Sequence, residues 1–220
     1  MQEVLYNMSE LTQYLEAIKE EKENKLIPEN IKSGVTILGV PGGSGNFIKA
    51  DVSKLSGEPI YKAITEINNL DTTEYLGDSL NNLFSGLINL KKVSFKNTDR
   101  IVDMGSLFAN CQKLEKIDFS KVNTSNVTNM TYMFSQCYSL VEIPQIDTSK
   151  VKKMYYMFGN GCTKLSNESL NNILAMCINA TSYTEAKTLA TLGLTKAQAT
   201  TCQSLSNWDD FVAAGWTSGY

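Results

Sequence analysis

The chain has 220 residues, a hydrophobic fraction of 42% and a formal net charge of -3 at pH 7, with five cysteines and no histidine. This composition is typical of a folded protein, and the Lys and Arg residues are too evenly spread to form a surface for nucleic acid. Histidine is the commonest metal ligand and the usual base for Ser and Cys nucleophiles. We therefore expect no catalytic residue, cofactor or metal ion, and no enzyme.

Residues 1–46 are predicted to form an attachment and oligomerisation segment. Ser9 caps an amphipathic helix whose apolar stripe spans at most two heptads. A coiled coil that stands alone needs about three or four heptads, so a partner or the rest of the chain must cover this stripe. The stripe, called the candidate attachment helix below, comprises Leu11, Tyr14, Leu15 and Ile18.

The N-terminal segment also indicates where in the cell the protein folds. Acidic residues stand where a signal peptide would be positively charged, and no stretch approaches the roughly 18 apolar residues of a membrane helix. We expect folding in the cytoplasm of the producing cell and no membrane insertion. Further on, "VTILGV" is predicted to be a strand and "PGGSG" a hinge. A phosphate-binding loop is disfavoured because neither Lys-Ser nor Lys-Thr follows Gly45.

Four related segments recur along the chain at intervals of 26, 26 and 24 residues. Their first residues are Asp71, Asn97, Asn123 and Asp147. In the third segment Val127, Met130 and Phe134 have the spacing i, i+3, i+7 of one helical face, and the second and fourth segments match it. Each segment is therefore predicted to contain a short helix. The residues predicted to cap three of these helices are Asp99, Ser125 and Ser149.

A strand is predicted before each of these helices, over residues 64–70, 90–95, 114–119 and 140–146. Local spacing before Leu70 also suits a helix, but alignment with residues 140–146 favours a strand. Some strand side chains are predicted to point away from the core and to form the candidate interaction surface. These are Glu66, Asn68, Lys92, Ser94, Lys116, Asp118 and Glu142.

The cysteines and tyrosines of the repeated segments have different expected roles. Cys111, Cys137 and Cys162 occupy the same corner of successive segments, and all five cysteines are predicted to be buried, reduced thiols. Two alternatives stay open for four tyrosines: an exposed strip on which sugars stack, or half-buried packing on helices. These are Tyr132, Tyr138, Tyr155 and Tyr156.

Residues 167–220 are predicted to form a helical C-terminal cap. Three helices are expected, led by Ser166, by Thr195, and by Ser206 or Asn207. The aromatic residues predicted to seal the end of the molecule are Trp208, Phe211 and Trp216. Two acidic residues, Asp209 and Asp210, are interpreted as first-turn residues that oppose the helix dipole rather than as a catalytic pair.

The repeated segments resemble the BspA-like (bacterial surface protein type) leucine-rich repeats. "NTSNVTNMTYMFSQCYSL" and "DTSKVKKMYYMFGNGCTKL" are similar to the pattern D/N-T-S-x-V-x-x-M-x-x-M-F-x-x-C-x-x-L, and the likeness covers residues 71–165. The resemblance implies an α/β repeat fold, a short leucine-rich-repeat-like solenoid over residues 47–166. An N-terminal helix-plus-strand attachment segment and the helical C-terminal cap would flank it.

A second resemblance lies in the N-terminal segment. "IPENIKSGVTILGVPG" is similar to a segment in tail and other virion structural proteins of phages and prophages of low-GC Gram-positive bacteria. It implies a non-enzymatic structural or binding protein of a phage particle, in a tail, a fibre or another surface component. Such a protein would be assembled in the host cytoplasm and exposed on the virion after lysis.

The implied partners follow from this division of the chain. Residues 1–46 would bind other virion proteins and form a homo-oligomer, with a trimer favoured, while the repeat surface would meet a host-surface protein or glycan. The alternative is a secreted bacterial surface adhesin with leucine-rich repeats. A signal peptide encoded upstream of Met1 would decide for the adhesin.

Overall fold

The computed structural model describes residues 36–39, 47–50, 64–71, 78–96 and 98–220. Five strands form one sheet in chain order. They are β1 (Thr36–Gly39), β2 (Phe47–Ala50), β3 (Ile64–Asp71), β4 (Lys92–Lys96) and β5 (Lys116–Asp118). The pairs β1–β2 and β2–β3 are antiparallel, whereas β3–β4 and β4–β5 are parallel. The candidate attachment helix lies outside the described residues.

The parallel strands lie where the sequence predicts them. Ile67 pairs with Val93, and Val93 pairs with Ile117, so three buried side chains form a row on one side of the sheet. The fourth predicted strand is reduced to an isolated bridge between Lys116 and Glu142. Strand pairing stops after this bridge because two side chains from the following helix bond the backbone of Ile143. Ser169 Oγ accepts from Ile143 N, and Asn172 Nδ2 donates to Ile143 O.

The predicted fold class, an α/β leucine-rich-repeat-like solenoid, is wrong. The described residues hold three short parallel strands in an open sheet, extended by the antiparallel β1 and β2, and three α-helices that all follow residue 166. Residues 78–166 lie mostly in turns and single bridges. Where short helices are predicted, the chain forms four turns with six aligned residues each, at 81–86, 105–110, 131–136 and 155–160, and the last turn continues through Gly161.

Backbone conformation explains why these segments are turns and not helices. Ser106 and Asn110, the second and sixth residues of one turn, have φ of 52° and 61°, and the other turns match this pattern. A right-handed helix cannot pass through left-handed residues. The amide of Phe108 accordingly donates to Met133 O in the next turn (2.9 Å), and that of Phe134 donates to Met157 O (2.8 Å).

The predicted helix caps are wrong as well, because turns and not helices follow them. Asn123 Oδ1 accepts a hydrogen bond from Ser125 N (3.0 Å), and Asp147 Oδ1 accepts one from Ser149 N (2.9 Å). An Asn or Asp side chain that bonds the amide two residues on closes a tight turn. Ser125 and Ser149 therefore supply backbone amides to turns, and Asp99 likewise lies in a turn.

The core is organised around a column of phenylalanines, one from each turn. Their ring centroids are 5.8 Å apart for Phe84 and Phe108, 5.6 Å for Phe108 and Phe134, and 5.7 Å for Phe134 and Phe158. All four side chains are buried. Phe95 of β4 packs against the first two rings, which joins the sheet to the turns.

Three α-helices complete the described chain: α1 (Asn167–Asn179), α2 (Lys196–Cys202) and α3 (Trp208–Ala213). The predicted N-caps at Ser166 and Thr195 are confirmed, because each side chain accepts a hydrogen bond from the amide three residues on. Asn207 precedes α3 without a side-chain cap bond. Trp216 is buried and stacks on Tyr183, with centroids 4.9 Å apart.

All five cysteines lie in the described part of the chain; they are buried, as predicted, and none is in a disulfide. Three thiols donate to a carbonyl of the preceding turn: Cys111 to Phe84 O (3.2 Å), Cys137 to Phe108 O (3.1 Å) and Cys162 to Phe134 O (3.0 Å). Burial raises the pKa of Cys162 from 9.0 to about 12 and that of Cys202 to about 11.

We expect the thiols to react slowly with an aromatic disulfide reagent in the native protein, even at pH 9. The thiolate is the reactive form, and burial raises the pKa of Cys137 well above its usual value of 9.0. Reaction rates measured with and without denaturant check this. Rapid native labelling of Cys137 and Cys162 would contradict their placement beside the phenylalanine column.

Thiol burial also sets the sign of a pH effect on stability. An unfolded thiol titrates near 9.0, below the folded pKa of about 12 for Cys162, so the folded state binds more protons between these values. The contribution of Cys162 to the free energy of unfolding is therefore complete below pH 9 and is lost as pH rises towards 12. Cys162→Ala should flatten this part of the stability profile relative to the unmodified chain.

Candidate functional site

The predicted interaction surface lies on the side of β3–β5 opposite the buried row. Strand register places Glu66 beside Lys92 and Lys92 beside Lys116, and the isolated bridge adds Glu142. The structure thus brings these four residues into one charged row of the order acid, base, base, acid. The side chains of Lys92, Lys116 and Glu142 are exposed.

Charge pairing within the row is weak. Lys116 Nζ and Glu142 Oε2 are 3.8 Å apart, and the two side chains are 59% and 64% exposed. An ion pair in such contact with water contributes little to stability, because solvent screens it and ordering the side chains costs entropy. Both charges remain accessible to solvent.

A second row contains the other predicted surface residues. Ser94 lies beside Asp118 in the parallel ladder, while Asn68 pairs with Phe47 of β2 and only its strand position is described. Asp118 also closes a turn, because its Oδ1 accepts a hydrogen bond from Ser120 N (2.9 Å). Hydrogen bonds from Ser120 lower the pKa of the Asp118 carboxyl, so it stays ionised.

The charged surface continues into a groove of about 440 Å³ between the end of β5 and α1. Its lining includes three acidic residues, Asp118, Glu142 and Glu168, and no basic residue. Its apolar lining comes from Ile117, Phe119, Ile143 and Pro144. The groove therefore offers an acidic rim around an apolar strip.

The turns expose a different surface, formed by tyrosines. The tyrosine cluster consists of Tyr132, Tyr155 and Tyr156, with centroids 4.7 Å apart for Tyr155–Tyr156 and 5.7 Å for Tyr132–Tyr155. Tyr132 is 39% exposed and Tyr155 is 41% exposed. The alternative that these tyrosines pack on helices is excluded, because they lie in turns. Tyr138 stands apart, with its ring against Gly161.

An open, mainly polar groove of about 400 Å³, called the turn groove, adjoins this cluster. Gly105 lines it at a point of close packing, because a Cβ there would lie 2.6 Å from Asn81 Nδ2 and 2.9 Å from Asn129 Nδ2. Asn129 is held in place, because its Nδ2 donates to Asp103 Oδ1 (2.9 Å) and its Oδ1 accepts from Thr131 N (3.0 Å). The full lining is Asn81, Gly105, Ser106, Asn129, Thr131, Lys153, Tyr155 and Glu185.

The turn groove was not predicted from the sequence, although part of the signal is present there. Asn81, Gly105, Thr131 and Tyr155 each begin a turn, so the aligned segments place them in one column. Glu185 lies beyond these segments, and nothing in the repeated pattern points to it. Its Oε2 accepts a hydrogen bond from Met154 N (3.0 Å), which brings a carboxylate to the groove.

The described ranges show neither a metal-binding cluster nor a membrane-spanning helix. No group of three or more His, Cys, Asp or Glu residues there is placed to hold a metal ion. Among the helices of that part, none has the length and apolar character needed to cross a bilayer.

Comparison with known proteins gives one result. The family described as "Mycoplasma protein of unknown function, DUF285" matches residues 64–190, from the start of β3 to the segment beyond α1. No curated protein and no solved structure matches the chain. The matched region spans more than half of the 220 residues and contains all four turns and the turn groove. The chain therefore belongs to the DUF285 family.

Proposed function

We propose that the chain is a non-enzymatic structural or binding component of a phage particle, which presents the exposed side of β3–β5 to a protein partner. The main support for this proposal is the charged row together with the acidic groove that continues it. The row is formed by Glu66, Lys92, Lys116 and Glu142. A row that carries both signs of charge, next to an acidic groove, suits a protein surface, because complementary charges set register and orientation.

The backbone supports this role by holding the surface rigid. β3, β4 and β5 are joined by parallel pairing, and the phenylalanine column packs beneath them through Phe95. Rigid presentation lowers the entropy cost of binding. The similarity of "IPENIKSGVTILGVPG" to a phage tail segment favours a particle over a cell surface as the place of display. Of this segment, β1 is described, and it pairs with β2 in the same sheet.

Localisation tests the proposal directly. Particles released by lysis of a producing culture should be banded on a density gradient and probed with an antibody against this chain. We expect the chain in the particle band, with immunogold label on the particle surface. Label on intact cells, with none in the particle band, would refute the proposal and support a secreted adhesin.

Oligomerisation through the candidate attachment helix gives a separate prediction. Leu15→Glu should convert the full-length protein from an oligomer, with a trimer favoured, to a monomer, because a carboxylate would be buried in the apolar stripe. Light scattering measures the mass. Gln13→Glu is the matched control: it adds the same charge on the opposite side of the predicted helix and should leave the mass unchanged. A Leu15→Glu protein that keeps its oligomeric mass would place the contact elsewhere.

A further inference from the structure

Two tyrosines of the tyrosine cluster occupy an unfavourable backbone conformation. The second residue of each turn has a left-handed φ: 59° at Asn82, 52° at Ser106, 57° at Tyr132 and 50° at Tyr156. Asn tolerates this conformation, whereas a bulky side chain pays a steric cost there. Tyr132 is 39% exposed, so burial of its ring offsets only part of this cost. Backbone strain at an exposed side chain points to a role for that side chain on the surface.

The cluster also borders a recess with polar groups. Tyr155 lines the turn groove, and its ring contacts those of Tyr132 and Tyr156. Lys153 and Glu185 line the same groove with opposite charges. Since the two charges offset one another, the groove lacks the positive surface that a phosphate backbone requires.

We propose that the tyrosine cluster and the turn groove form a binding site for a neutral oligosaccharide. A pyranose ring has one face of C–H groups, which stacks on an aromatic ring, and a rim of hydroxyls, which needs donors and acceptors. Tyr155 supplies the ring at the groove, with Tyr132 and Tyr156 extending the aromatic surface. Asn81, Lys153 and Glu185 supply the polar groups.

The size and construction of the groove fit this class of ligand. Its volume of about 400 Å³ falls within the range of about 300–1,000 Å³ found for small-molecule sites. The absence of a side chain at Gly105 lets the amides of Asn81 and Asn129 lie against its backbone, and both amides line the groove. The site lies on the turns and not on the charged row, so its test does not depend on whether the chain is found in phage particles.

Binding of neutral oligosaccharides to the full-length protein tests the proposal. An array of hexose and N-acetylhexosamine oligosaccharides should yield at least one ligand, whose affinity is then measured by NMR titration up to about 10 mM, enough to detect a dissociation constant of about 1 mM. We expect Tyr155→Ala to weaken that ligand at least tenfold. We expect Tyr132→Asn to weaken it as well while leaving the unfolding midpoint equal or higher, because Asn suits the left-handed backbone.

Tyr138→Gln is the matched control, since Tyr138 is as exposed as Tyr155 but lies outside the cluster. It should leave affinity unchanged. Gly105→Ser, whose Cβ would displace the amides of Asn81 and Asn129 that line the groove, should weaken binding. Failure of every neutral oligosaccharide to bind the unmodified chain would overturn the proposal. Equal losses from Tyr138→Gln and Tyr155→Ala would overturn it too, as would binding that survives both Tyr155→Ala and Gly105→Ser.

Discussion

Phe134→Ala should lower the free energy of unfolding by about 3–5 kcal/mol, the usual cost of truncating a buried aromatic side chain. The ring is fully buried and stacked between Phe108 and Phe158, with interplanar angles of 2° and 15°. Its removal would leave a cavity in the middle of the column, bounded by two rings that cannot close the gap without moving their own turns. Chemical denaturation of both proteins, with the slope of each transition compared, measures the loss.

Thr131→Ala is the control for this experiment. Thr131 lies in the same turn, but its side chain is half-buried at the turn groove and not in the column. We expect its midpoint to stay close to that of the unmodified protein. If the two variants lose similar stability, the turn at 131–136 faces the other way and the phenylalanine column is not the centre of the core.

The aligned segments predicted the strands better than local spacing did. The pattern of residues 58–70 suits a helix, yet residues 64–70 form most of β3, because pairing with β2 and β4 decides their conformation. The side of the strands that bears the candidate interaction surface was likewise predictable, since alternation with period 2 places Glu66, Lys92 and Lys116 opposite the core. Tertiary pairing overrides local propensity here.

The short helices were predicted wrongly because spacing alone is ambiguous. Burial of residues i, i+3 and i+7 fits one helical face. A segment with an isolated bridge at Asn129, followed by the turn at 131–136, produces the same burial at Val127, Met130 and Phe134. A distinguishing signal exists at the sixth position, which holds Gly, Asn, Gln and Asn in the four turns. These residues are Gly86, Asn110, Gln136 and Asn160. Gly and Asn favour left-handed backbone, so this column indicates turns.

The turn groove was beyond prediction for a different reason. Its lining joins Gly105 to Glu185, which lies 80 residues further along the chain. No local pattern relates two such positions. A contact between segments also explains the burial of a polar residue: Thr124 Oγ1 donates to Asp147 O (2.7 Å) in the next segment, and no local pattern indicates this bond.

Gly193→Ala should destabilise the protein by about 2–5 kcal/mol, through two separable effects. Gly193 has φ of 85°, where a Cβ costs about 1–2 kcal/mol. A Cβ would also lie 2.5 Å from Gly159 Cα and 2.7 Å from Gly159 N, and backbone atoms cannot swing aside as a side chain can. Relieving that overlap would cost about 1–3 kcal/mol more. It would also separate the 155–160 turn from its neighbour, where Phe158 N donates to Leu192 O (2.9 Å).

Gly215→Ala separates the two effects, because Gly215 has the same φ of 85° but no atom within 4 Å of its added Cβ. It should lose about 1–2 kcal/mol from backbone strain alone. Both substitutions restrict the unfolded chain to the same extent, so this contribution cancels when they are compared. The difference between the two melts therefore measures the cost of the close approach between residues 159 and 193. Equal losses for Gly193→Ala and Gly215→Ala would show that this backbone contact is not formed, and that the last turn is held by its hydrogen bonds and side chains alone.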